Sequence, residues 1–134
     1  MAQSMMTRFL RLTLIIAALM TALGSWIFLV PDSGLAEQYD LPADVPVLYR
    51  ALVSFMLAVF AGLYAWMAAQ ARLIRPLLWL GVAGKGGAFL MVVALYATDQ
   101  VSTGVVSLMI GDCVLSTIWL VWLLRTREVV GVGN

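Results

Sequence analysis

Four long apolar runs, separated by short polar stretches, make up almost the whole chain. The first extends from Leu12 to Val30 and is stopped by Pro31; the others cover about 47–69, 77–97 and 104–124. Runs of about 20 residues, at 1.5 Å rise each, match a hydrocarbon core of roughly 30 Å. The pattern predicts an all-α membrane protein, one domain folded as a four-transmembrane-helix antiparallel bundle. Residues 31–46 form a polar loop in which Pro42 and Pro46 argue against a regular helix. The connections Gln70–Pro76 and Thr98–Thr103 are short, so the helices they join must be antiparallel. Arg8 and Arg11 before an apolar run, with Gly34-Leu35-Ala36 after it, also resemble a secretory leader. The 19 apolar residues of Leu12–Val30 exceed the roughly 7–15 of a leader, so a retained span is expected.

Composition sharpens this picture mainly by exclusion. Only 11% of the 134 residues are charged, against about 25% in soluble domains. A net charge of +1 without any basic run leaves nothing to track a nucleic acid backbone. Cys113 is the single cysteine, so no intrachain disulfide can form. Histidine is absent, which removes the commonest metal ligand, and no metal site is expected. No nucleotide-binding, metalloprotease or serine-hydrolase signature occurs, and no residue is assigned a catalytic role.

The placement of charge says more than its amount. Arg8, Arg11, Arg72, Arg75, Arg125 and Arg127 all flank the same end of the four runs. The opposite loops hold only acids: Asp32, Glu37, Asp40, Asp44 and Asp99. Basic flanks face the cytoplasm, so both termini are expected there. Trp66, Trp79 and Trp122 toward that end, with Trp26, Tyr49 and Tyr96 toward the other, suit interfacial belts.

Three charges lie inside the runs: Arg50, Lys85 and Asp112. Counting 1.5 Å per residue puts Lys85 about 12 Å and Asp112 about 18 Å from the basic boundary, with Arg50 near 25 Å. Asp112 thus falls between the two cations in depth, and a triad is within reach of extended side chains. Such a centre is either a structural lock or a ligand or proton site. Ser54 and Ser116, one turn from Arg50 and Asp112, can line it or bond their own helices. Stripes at helical spacing mark the expected packing seams: Ala17, Thr21 and Gly24; Arg50 with Ser54, Ala58, Ala61 and Ala65; Gly81, Gly84 and Ala88 beside Lys85. In this scheme Gly84 belongs to a seam, while Gly86 and Gly87 are better placed to frame a pocket.

Tyr49-Arg50 opening the second run, PLLWLGVAGK through Lys85, and Gly111-Asp112 in the fourth resemble the DoxX-like family of small four-helix bacterial membrane proteins. The resemblance covers nearly the whole chain. It implies a four-helix bundle in the bacterial inner membrane, with some members linked to quinone oxidoreductases. The leading expectation is an accessory subunit of a larger membrane complex, or a binder of lipid or quinone around Arg50, Lys85 and Asp112. A proton-coupled transporter acting as a homo-oligomer is the alternative, but the first run lacks the embedded acid that small multidrug exporters use. An intramembrane isomerase ranks last, because one aspartate between two cations favours a permanently ionised form.

Overall fold

The computed structural model describes residues 2–126, with side chains from Met6 onward. Its elements are five helices: α1 (Ala2–Leu29), α2 (Gly34–Gln38), α3 (Val47–Ala69), α4 (Arg75–Ala97) and α5 (Thr103–Arg125). Four of them, Met6–Leu29 within α1 and the whole of α3, α4 and α5, are long and apolar enough to cross a membrane. Three of these helices start one or more residues earlier than their apolar runs. Helical hydrogen bonding continues into polar flanks, where hydropathy cannot follow it. Arg127, the last of the flanking bases, lies outside the described residues.

Local signals account for the boundaries. Pro31 follows α1, and Pro46 precedes α3, where its carbonyl accepts from the Tyr49 and Arg50 N–H groups. Pro76 occupies the first turn of α4, where a proline N–H is not needed. Ser102 caps α5 by accepting from the Val105 N–H. The polar loop departs from the sequence expectation, because it contains α2. That helix ends before Pro42, and Ser33 caps it through the Ala36 N–H at 3.3 Å. Asp40 and Asp99 take positive φ in the two turns at the acidic end, a conformation that aspartate tolerates better than most residues.

The helices form two antiparallel pairs, α1 with α3 and α4 with α5. At one end of the first pair, Ser25 and Ser54 exchange side-chain-to-backbone bonds of 2.7 Å. At its other end, Arg11 donates to the carbonyls of Gln70 and Ala71. Arg75 does the same for the second pair, donating to Leu123 O, Thr126 O and Thr126 Oγ1. Each arginine therefore satisfies carbonyls that a helix C-terminus leaves open.

The two pairs meet through one core, and it occupies only the basic half of the bundle. Leu10, Leu14 and Ala17 of α1, Tyr64 and Met67 of α3, Leu78 of α4, and Leu115, Trp119 and Leu123 of α5 compose it. Trp119 is fully buried and donates its indole N–H to Thr13 Oγ1 at 2.9 Å. Its ring lies 5.3 Å from that of Tyr64. Gly81 makes this packing possible, since a Cβ there would sit 2.9 Å from Trp119 Cζ3. In lipid such close contact, rather than expulsion from water, holds helices together.

Candidate functional site

The centre sits where that core ends. Lys85 projects from the middle of α4 and is only 5% exposed. Its Nζ pairs with Asp112 Oδ1 of α5 and donates to Thr21 Oγ1 of α1 at 3.2 Å. The same ammonium stands 5.4 Å from the centre of the Tyr64 ring of α3, a cation–π contact. One lysine thereby touches all three other long helices. Its partner is less enclosed: the Asp112 side chain retains 20% exposure. Only Oδ1 is engaged among the described residues, so the second carboxylate oxygen keeps its accepting capacity.

The surrounding glycines differ in what they face. A methyl on Gly86 would touch Ser116 Oγ at 3.4 Å, while nothing lies within 4 Å of one on Gly87. Gly84 departs from the sequence expectation of a tight seam. A Cβ there would make ordinary contact with Phe60 at 3.7 Å, and the close approach belongs instead to Gly81, one turn earlier. The reason lies in the neighbours: Gly81 faces the Trp119 and Tyr64 rings together, whereas Gly84 meets only the edge of Phe60, so spacing alone could not rank the two.

Arg50 does not join Lys85 and Asp112. The pair Lys85–Asp112 is the one ion pair among the described residues, and Arg50 makes none. Arg50 lies in the first turn of α3, next to a crevice of about 100 Å³ that Ile27, Pro31, Leu41 and Val53 help to line. Its Nε is buried there without a hydrogen-bond partner. The triad allowed by depth fails on facing, because α3 packs along α1 and its acidic-end half is otherwise exposed. Ser54 likewise bonds Ser25 rather than any charged group, and Ser116 donates to Cys113 O of its own helix at 3.0 Å.

Two members of the centre escaped the sequence reading. Thr21 stood in a stripe of small residues and reads as seam material, yet its hydroxyl takes a lysine bond. Tyr64 carried no signal beyond being an aromatic in an apolar run. Only a depth argument extended to the first two helices could have flagged them. No group of three or more potential metal ligands occurs among the described residues. Comparison with protein families, curated proteins and solved structures returned no match. Function must therefore be read from the geometry of the chain itself.

Proposed function

We propose that this chain is a multi-pass protein of the bacterial inner membrane that holds a lipid or quinone at the Lys85–Asp112 centre, by itself or as an accessory subunit. The observation that carries this reading is the asymmetry of the pair. A nearly buried ammonium is held by three helices, while its partner Asp112 keeps one oxygen without a bond on a side chain that is partly exposed. A quinone or ester carbonyl can accept from such an ammonium, and a quinol or headgroup hydroxyl can donate to the free carboxylate oxygen. Ionisable groups at this depth cost about 2.5–3.5 kcal/mol each on insertion scales, which favours a pairing or a use for them. Gly87 adds no room at the pair: it is exposed on the outer face of α4, two residues and so about 200° round the helix from Lys85.

The basic flanks support an orientation with both termini and the Arg72–Arg75 connection in the cytoplasm. The likeness to DoxX-like proteins at Tyr49-Arg50, the run through Lys85, and Gly111-Asp112 supports the bacterial inner membrane. Arg50, apart from the pair, is not required for the ligand in this reading.

Extraction of bound lipids and quinones from the purified chain, followed by mass spectrometry, tests the proposal. The double variant Lys85→Met with Asp112→Asn removes both charges together and leaves neither buried alone. It should keep its melting temperature within a few degrees yet lose the co-purifying molecule. Retention of the same molecule at the same stoichiometry would assign the pair a purely structural role.

A further inference from the structure

At the basic end, the arginines divide into two kinds. Arg11 and Arg75 are tied to carbonyls at the ends of α3 and α5, as described above. Arg72 is exposed and makes no hydrogen bond or ion pair with the described residues. It lines an open cleft of about 530 Å³ together with Thr7, Ile74, Arg75 and Trp122. That volume falls in the usual range of small-molecule sites, about 300–1,000 Å³. Arg75 holds its guanidinium 5.6 Å from the Trp122 ring centre, so the second cation of the cleft is fixed rather than floating. No carboxylate among the described residues lies at this end of the bundle; Arg8 and Arg125 add two more exposed cations there.

A cleft with two guanidiniums, an aromatic wall and no counter-ion among the described residues, placed at the end of four membrane-length helices, suits one chemistry. We infer that it binds a phosphate-bearing anion, with the phosphate group held by Arg72 and Arg75. The bilayer supplies such a group as an anionic headgroup, and solution supplies it as free phosphate. Arginine presents paired N–H donors that match phosphate oxygens, and tryptophan favours the headgroup level. The inference rests on the chain lying in a membrane, but not on its orientation or on the Lys85–Asp112 ligand. Arg75 keeps its carbonyl partners in this arrangement, because a guanidinium has five donors and three bonds are recorded.

The full chain in detergent, titrated with phosphatidylglycerol, phosphatidylcholine or inorganic phosphate and followed by native mass spectrometry and melting, tests this site. Phosphatidylglycerol should bind more tightly than phosphatidylcholine, and Arg72→Gln should weaken it by about fivefold, the scale of one interfacial basic residue. Arg125→Gln, which removes an equally exposed charge outside the cleft, should have a smaller effect. Phosphate at millimolar concentration that raises the melting temperature of wild type but not of Arg72→Gln would identify a free anion as the occupant. Phosphate without effect, beside retained lipid selectivity, would identify the headgroup. Equal losses for Arg72→Gln and Arg125→Gln would overturn the site in favour of diffuse surface charge. Both variants alter exposed side chains, so their melting in the absence of ligand should match wild type.

Discussion

The two halves of this bundle are built on different terms. In the basic half, four helices converge on Trp119 and Tyr64, and Gly81 lets the rings lie against the α4 backbone. From Lys85 toward the acidic end there is no such shared core: Lys85 bridges the two pairs through Thr21 and Asp112, Met20 of α1 packs against Gly111 of α5, and the buried positions include Thr21, Ser54 and Lys85. The lesson concerns what holds apolar helices together when lipid is as apolar as they are. One half uses shape and dense contact; the other uses a few polar bonds, Ser25–Ser54 and Lys85–Asp112–Thr21. Polar bonds tolerate space around them in a way that interlocked rings do not. The open carboxylate oxygen of Asp112 lies on the side that polar bonds hold.

The sharpest test of that division is removal of one member of the polar lock. Asp112→Asn leaves Lys85 enclosed without its anion and should destabilise the protein by about 3 kcal/mol, since a surviving buried charge is costly. Adding Lys85→Met should recover most of that loss. Thermal or SDS-titrated unfolding of the single and double variants measures both numbers. Equal losses would mean that the two side chains are not energetically coupled.

The glycines give the next largest contrast, between an enclosed position in the basic half and an outward-facing one beyond it. Gly81→Ala forces a methyl against the Trp119 and Tyr64 rings and should cost about 1–3 kcal/mol, the range for overpacking. Gly87→Ala meets open space and should change stability by less than about 0.5 kcal/mol. A methyl that harms both sites alike would show that Gly87 faces a neighbouring helix and not the outside of the bundle.

A smaller effect than at Gly81 belongs to the Trp119–Thr13 hydrogen bond inside the aromatic core. Thr13→Val keeps the volume but removes the acceptor of the Trp119 N–H. Hydrogen bonds between membrane helices average about 0.6 kcal/mol, so a shift of that order is expected in the same unfolding assay. A tryptophan fluorescence change without any stability change would show that Trp119 finds another acceptor.

Length and hydropathy along the chain determined the number of membrane-length helices, because a hydrocarbon slab of fixed thickness demands runs of fixed length. The levels of Lys85 and Asp112 were legible for a related reason, since a helix rises by a constant 1.5 Å per residue. Rotation about each helix axis was not legible. Small residues repeat on several stripes, and each stripe is an equally good seam until a neighbour is chosen. The tertiary structure made that choice: it turned Thr21 and Tyr64 toward Lys85, left Arg50 beside the crevice at Pro31 and Leu41, and gave the close contact to Gly81 instead of Gly84. Helix α2 belongs to the same class, because a polar loop tells hydropathy nothing about a five-residue helix capped by Ser33. One-dimensional spacing determines depth; only packing in three dimensions decides facing, because facing depends on which helices become neighbours.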